Sequence, residues 1–380
     1  MLKKILVINS GSATLKFKVF ILPDLIEESR GIVEWIGIAD SFMDFKYGKK
    51  SVHLDFKSGI KNHHEALIEA IKALGNELKE IKFVGHRVVH GGNMFYKTTQ
   101  VNNKTISQVK KISYLAPLHN PANIMGIEAA ISALPNAKQF MVFDTAYYQT
   151  IPDYAALYPI AQKFTDAGIR KYGFHGISHK YSTQTSIAQY KLKKSKIITC
   201  HLGSGCSITA SIDGRAIETS MGFTPMSGLM MSTRVGDLDA SAILFMINEL
   251  KMTTAEIDRI LNHESGLLAV AGTMDMREIL SAAGEKVVGF KASKKYSAQE
   301  KAQAKLALQM FIYRIVKYIG EYYAAMKGLD LIVFTGGVGE RSPAIRKMIL
   351  AEIRHLPKFK NTVIPANEEL MIAREVAGNN

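Results

Sequence analysis

Cysteine is nearly missing from this sequence. Among its 380 residues only Cys200 and Cys206 carry thiols, too few for a disulfide framework and in keeping with a reducing compartment. Long apolar runs are missing as well. No segment approaches the roughly 20 residues that cross a bilayer, and the opening apolar run at residues 5–8 is cut by Asn9, Ser10 and Gly11, far short of a signal-peptide core. The expectation is a soluble, cytoplasmic chain with no membrane partner. Acidic side chains are the third shortage: 34 against 48 Lys and Arg, for a formal charge of +14. The excess lies in scattered clusters (Lys49 and Lys50; Lys110 and Lys111; Lys191, Lys193, Lys194 and Lys196; Lys291, Lys294 and Lys295). None is interleaved with aromatics or glycine as an RNA-binding signature is, so no nucleic acid partner is expected. A solvated surface that steers anionic substrates is. Three familiar motifs are absent too. There is no G-x-x-x-x-G-K-[ST], His86-Arg87-Val88 lacks the aspartate of a protein-kinase catalytic loop, and no G-x-S-x-G occurs.

What is present is a large, patterned core. With 47% hydrophobic and 22% charged residues, a chain of this length favours two domains. Its opening reads strand (4–8), small polar turn (9–14), strand (15–20). The same grammar returns at 197–202, Gly203-Ser204-Gly205 and 207–212, closed by the hairpin signal Asp213-Gly214. A third strand, 331–335, runs into Gly336-Gly337-Val338-Gly339-Glu340 and a helical stretch at 342–349. Glycine lets backbone N–H groups close on a polyphosphate, so the repeated unit suggests duplicated halves facing a nucleotide cleft. Helical periodicity at 63–78, 121–134, 240–250, 254–261 and 298–326 places their apolar faces in the core. Strands alternating with helices argue for an α/β architecture, with a domain boundary near 146–152.

Polar residues embedded in these apolar segments are the candidates for chemistry. Gly85-His86-Arg87-Val88-Val89-His90-Gly91-Gly92 sets an arginine between two histidines. Leu115-Ala116-Pro117-Leu118-His119-Asn120-Pro121 puts a histidine on a proline-bounded loop. Asp144 ends a strand, His175 sits in Tyr172-Gly173-Phe174-His175-Gly176, and Arg234 lies in Ser232-Thr233-Arg234-Val235-Gly236-Asp237. Each alone has a plain structural reading: a core histidine, an arginine paired to a carboxylate, an aspartate capping a turn. His201 with Cys200 and Cys206 matches no zinc spacing.

Together these segments resemble the acetate kinase family. GHRVVHGG (85–92), LAPLHNPAN (115–123), VFDTA (142–146), YGFHG (172–176), ETSMGFTP (218–225) and VFTGGVGE (333–340) occur in that order, and the likeness runs from Asn9 to Asn367-Glu368-Glu369-Leu370. The resemblance implies an α/β, two-domain, duplicated ribonuclease H-like fold shared with sugar kinases, actin and heat-shock ATPase domains. Residues 1–147 plus 366–380 would form an N-terminal acetokinase domain and 148–365 a nucleotide-binding domain, in a homodimer. It implies reversible phosphoryl transfer from ATP to acetate, giving acetyl phosphate and ADP, with Mg²⁺, or Mn²⁺ in its place, held by Asn9 and Glu368.

By the same resemblance, Arg87, His119, Asp144, His175 and Arg234 would be catalytic. Arg87, Val89, Leu118, Phe174 and Pro225 would take the acetate. Ser12, Thr14 and Lys16 would lie near the phosphates. ATP would also meet His201, Leu202, Gly203, Ser204, Gly205, Asp275, Met276, Arg277, Gly336, Gly337, Val338, Gly339 and Glu340. Acetate is already ionised near neutral pH, so the acceptor has no proton to lose; orienting an arginine or the metal suits Asp144 better than general-base work. A propionate kinase of the same superfamily is the nearest alternative. A catalytically silent nucleotide-binding regulator is the alternative from another class, and its signature would be loss of Asn9, Arg87, His175, Arg234 or Glu368. The sequence departs from the family at Ser204, Ser232, Val235, Tyr148 and Arg341, mostly on the nucleotide side.

Overall fold

Strand β1 (Lys4–Ser10) is buried at every position, which is why its residues 5–8 are apolar without alternation: a central strand covered on both faces has no solvent side to alternate with. The computed structural model describes residues 3–11, 13–117, 119–292 and 294–379, with only the backbone of Asn76. Two compact units emerge, Met1–Tyr147 with Asn367–Asn380, and Tyr148–Ala366.

In the first unit β1 is joined by β2 (Thr14–Ile21), β3 (Ile26–Glu34), β4 (Ser41–Tyr47), β5 (Lys50–Phe56), β6 (Ile81–Val88), β7 (Thr99–Gln100) and β8 (Lys138–Phe143). They form one mixed sheet in the order β5-β4-β3-β2-β1-β6-β8-β7. The second unit holds β9 (Lys196–Leu202), β10 (Cys206–Ile212), β11 (Arg215–Thr219), β12 (Leu331–Thr335) and β13 (Lys360–Val363), ordered β11-β10-β9-β12-β13. The pairing repeats. In each unit the first strand is antiparallel to the second and the second to the third, while the first is parallel to the next strand inward and that one to its own neighbour. The duplication suggested by two strand–turn–strand units is therefore a duplication of sheet topology, and the fold is α/β with mixed sheets.

Local chemistry fixes the elements. Asp213 (φ 52°) and Gly214 (φ 80°) make the two-residue turn between β10 and β11 that an Asp-Gly pair favours. Ser297 and Glu300 form a capping box on the helix Ala298–Met326, whose Ala304, Ala307, Leu308, Phe311, Ile315, Ile319, Tyr322 and Met326 face inward at helical spacing. No helix among the described residues is long and apolar enough to cross a membrane.

Three expectations need correction. The helix expected over 63–78 ends at Leu74, because Gly75 (φ 51°) stops it, and a 3₁₀ turn follows over Gly75–Glu80. The glycine run 336–340 is not an open turn but the start of a short helix, Gly336–Arg341. The helix Ala240–Asn248, expected to pack into the core, buries none of its residues; Leu244 and Phe245 are 58% and 56% exposed.

Gly336 has a specific reason to be glycine. Its φ is 76°, and a Cβ there would meet the backbone of Leu202 at 2.8–3.0 Å. Gly272 has a similar φ of 72° but open space around it. Gly272→Ala should therefore cost about 1–2 kcal/mol, the left-handed strain alone, and Gly336→Ala about 3–4 kcal/mol, strain plus the clash. Urea unfolding of the two variants measures this, and equal losses would refute the clash.

Candidate active site

The first unit gathers charge at the ends of β1, β6 and β8. Arg87, near the end of β6, donates from Nε (3.0 Å) and Nη2 (2.6 Å) to Asp144 Oδ2, just past β8. Its Nη1 reaches Asn9 Oδ1 at 3.3 Å, and Asn9 Nδ2 donates to Glu368 (3.0 Å) and Glu369 (2.8 Å) at the start of the C-terminal helix Glu368–Ala377. Asp144 is 1% exposed and Arg87 15%. Burial alone would depress the arginine's pKa, but Asp144, Glu368 and Glu369 together hold it above its usual value. Asp144, expected among the catalytic residues, thus grips the arginine.

The histidines beside Arg87 are core residues. His86 is bonded to Gln139 (2.7 Å), and burial pulls the pKa of both His86 and His90 down to about 4, so both are neutral at physiological pH. His119 precedes the helix Asn120–Ala133 without capping it. Two asparagines of that helix fix the segment after β6, a pairing the motif reading passed over. Asn120 takes the His90 N–H (3.1 Å) and returns a bond to its carbonyl (3.0 Å), and Asn123 takes the N–H of Val89 (3.1 Å). Asparagine two and five residues after the loop's Leu118 was the available signal. Val89 is buried.

Thr14 opens β2, where its carbonyl accepts from Gly11 N (2.8 Å). Lys16 is exposed and borders a groove of about 430 Å³ on the outer strands, with Lys18, Arg30 and Glu369 also at its rim. Lys18 reaches Asn367 (3.2 Å) and Glu369 (3.7 Å). Ser12 and Leu118 lie outside the described residues.

In the second unit three expected residues meet at one glycine. A Cβ on Gly205 would sit 3.2 Å from His175 Nε2 and 3.6 Å from Arg234 Nη1. His175 occupies the N-cap position of the helix Gly176–Tyr190 in the left-handed region (φ 58°, ψ 23°), a strained conformation, and makes no side-chain capping bond. That ring stacks on His201 with centroids 4.4 Å apart, and His201 Nδ1 is 2.8 Å from Ser178 Oγ. Arg234 Nη1 donates to the Pro225 carbonyl (3.3 Å) and touches Met231 Sδ (3.8 Å). Among the described residues no carboxylate reaches it, and burial lowers its pKa.

The glycine turns adjoin: a Cβ on Gly203 would lie 3.8 Å from Gly337 N. Leu202, between His201 and Gly203, is buried, Ser204 is exposed, and the Ser204 carbonyl accepts from Ser232 N (3.1 Å). Glu340 Oε1 accepts from Gly336 N (3.0 Å) and Ala366 N (2.7 Å), and Arg346 holds the carbonyls of Gly339 and Glu340. Val338 accepts the closing bond of that short helix. Asp275 caps the helix Met276–Ala283 and pairs with Arg277 (2.6 Å), which lowers the pKa of Asp275; their side chains bond each other and not the His175 cluster. Tyr148, a departure from the family, buttresses the loop before His175: its hydroxyl donates to the Phe174 carbonyl (2.6 Å), and its ring fills the space beside Gly173. Phe174 is buried. Burial pushes the Cys200 thiol up and that of Cys206 to about 12, and among the described residues they join no group of three His, Cys, Asp or Glu that could hold a metal ion.

The chain is similar to known proteins over almost its whole length. Residues 4–357 match the Acetokinase family profile. The acetate kinase of Heliobacterium modesticaldum is 40% identical over 404 residues, covering 98% of each chain. Among solved structures, a propionate kinase from Francisella tularensis superimposes with TM-score 0.89 at 36% identity, covering 99% of each chain. The Porphyromonas gingivalis acetate kinase gives 0.86 at 34%, again over 99% of each. With the motif order, the sheet topology and these matches in accord, the chain belongs to the acetokinase family.

Proposed function

We propose that this chain transfers the γ-phosphoryl group of ATP reversibly to acetate, forming acetyl phosphate and ADP by direct in-line displacement. The observation that carries it is Arg234: a half-buried guanidinium with no carboxylate among the described residues, beside a glycine turn and a histidine. A desolvated cation of that kind favours an incoming anion, and its planar fork suits phosphate and carboxylate alike. Phosphoryl transfer needs positioning and neutralised charge more than covalent help.

In this reading residues 148–365 bind the nucleotide, with His201 to Gly205, Asp275 to Arg277 and Gly336 to Glu340 around ATP. Residues 1–147 plus 366–380 form the N-terminal acetokinase domain. His175 donates to the equatorial phosphoryl oxygens, Arg234 and Arg87 neutralise them and the acetate carboxylate, and His119 stands near the phosphoryl group. Thr14 and Lys16 lie near the phosphates. Asp144 aims Arg87, in keeping with its two bonds from that side chain. Val89, Phe174 and Pro225 meet the methyl group.

The oxygens of Asn9, Glu368 and Glu369 suit Mg²⁺, or Mn²⁺, because Asn9 already draws both carboxylates to one amide. No cluster of three or more His, Cys, Asp or Glu among the described residues could cage a metal unaided, and Mg²⁺ is ordinarily held by one or two carboxylates with water and substrate phosphates. The ion supplies charge neutralisation on the phosphate oxygens.

The enzyme acts in the cytoplasm as a homodimer. Supporting this, the exposed helix Ala240–Asn248 (ASAILFMIN) carries no charge, so two copies could meet on it without like-charge repulsion. Light scattering should give a particle of twice the 42.0 kDa chain, reduced to one chain by Phe245→Glu. A monomeric wild type would refute the dimer.

ADP formation from MgATP with acetate, propionate, butyrate or no acid tests the function. Acetate-dependent turnover should fall about 100- to 1,000-fold in Arg234→Lys and His175→Ala. A folded protein idle with every acid would sink the reading. One methylene is worth about 1–3 kcal/mol in an apolar pocket, so propionate should be slower, and Val89→Ala should narrow the gap. An unchanged acid preference in that variant would remove Val89 from the methyl site.

A further inference from the structure

Behind His175 runs a line of buried side chains. Ser207 Oγ lies 2.9 Å from His175 Nδ1 and 2.7 Å from His179 Nε2. On its far side His179 Nδ1 is 2.5 Å from Thr199 Oγ1, whose other neighbour is the Thr209 carbonyl at 3.4 Å. Thr199, His179 and Ser207 are all 0% exposed. Burial presses the His179 pKa well below the usual imidazole range, with His201 adding to the effect, so the ring is neutral and holds one N–H.

A neutral His179 allows two consistent polarities. In one, Nδ1–H donates to Thr199, the Thr199 hydroxyl donates to Thr209, Ser207 donates to His179 Nε2, and His175 must donate from Nδ1. A neutral His175 then has a bare Nε2. In the other, Thr199 donates to His179 Nδ1, His179 Nε2–H to Ser207, and Ser207 to His175 Nδ1, which leaves the proton on His175 Nε2. The distances favour the second. The first leaves the buried Thr199 hydroxyl proton only the Thr209 carbonyl at 3.4 Å, a weak bond, whereas the second gives that proton to His179 Nδ1. The Nε2 edge shares the space beside Gly205 with Arg234 Nη1, and His201 stacks on the ring. The Tyr148 ring, edge-on to His179 with centroids 6.4 Å apart, brings no charge.

We propose that Thr199, His179 and Ser207 are positioning residues that hold His175 as its Nε2–H tautomer, so that a neutral imidazole donates to the phosphoryl oxygens. The tautomer of a histidine is set by the bond its other nitrogen makes, and here that bond is set two residues further back. The proposal rests on the reading of His175 given above.

Nitrogen NMR of the full chain with ¹⁵N-histidine decides it. Both His179 and His175 should carry their proton on Nε2 in the resting enzyme; an Nδ1–H signal on either would overturn the proposal alone. MgADP, acetate and aluminium fluoride, a phosphoryl mimic, should move the His175 Nε2 resonance. No movement would overturn the His175 reading beneath it. In turnover, His179→Gln, which keeps an amide donor for Ser207, should stay within about threefold of wild-type kcat, while His179→Leu should lose roughly 10- to 100-fold with KM values unchanged. Wild-type kcat should hold level from about pH 7 to 9, since no imidazolium is needed. A kcat falling with a single ionisation in that window would count against the neutral donor. Should His179→Leu not fold, the wild-type spectrum still decides.

Discussion

A guanidinium taken out of water must meet an anion or hold its charge at a cost, and this chain treats its two key arginines in opposite ways. Arg87 carries its own counterion: Asp144 grips it twice through one oxygen, and Asn9 links it to Glu368 and Glu369. Removing one partner of such a pair costs about 3–5 kcal/mol, so the arrangement fixes a direction as much as it adds stability. Among the described residues Arg234 meets only a carbonyl and a thioether sulfur. In the proposed function its anion is the substrate's to supply, and the free energy held back in folding becomes available to binding. Aspartate beside Arg234 would stabilise the fold and compete with the phosphoryl group for the same fork.

The repeated sheet explains why such different chemistry can sit on one framework. The order β3-β2-β1-β6-β8 of the first unit returns as β11-β10-β9-β12-β13 in the second, and each unit keeps its polar groups at strand ends and in the segments that follow. In the first unit the segment after β6 is stitched to a helix by Asn120 and Asn123. In the second, Gly336 must be glycine because Leu202's backbone lies where its side chain would begin, and a Cβ on Gly205 would crowd the His175 ring at 3.1–3.2 Å. The glycines therefore do more than expose N–H groups to a polyphosphate; they let the turns and side chains approach each other.

Much of this was legible in the sequence for a physical reason. Strand β12 (331–335) and the helix over about 298–326 were legible, because a buried strand reads as a plain apolar run and a long helix shows its apolar face at helical spacing. The helix Ala240–Asn248 misled, since apolar periodicity reports that a face wants burial and is silent on what buries it. The bonds of Asn120, Asn123 and Tyr148 were not legible because they go to backbone groups, and a backbone partner leaves no residue type in the sequence to pair with. Glu369 escaped because its neighbour Glu368 filled the role the motif assigns, although Asn9 bonds both.

The polar row behind His175 bears on why a core would carry such residues at all. Buried hydroxyls and an imidazole stabilise less than well-packed apolar groups of the same volume unless every donor finds an acceptor. From Thr199 through His179 to Ser207 each hydroxyl proton and ring nitrogen has one partner within 3.0 Å, so the row adds no unmet polar group of its own. What it adds is direction. An apolar replacement would pack as well and leave His175 free to choose its tautomer, and next to Arg234 the choice decides whether the site presents a second donor or a lone pair to an incoming anion.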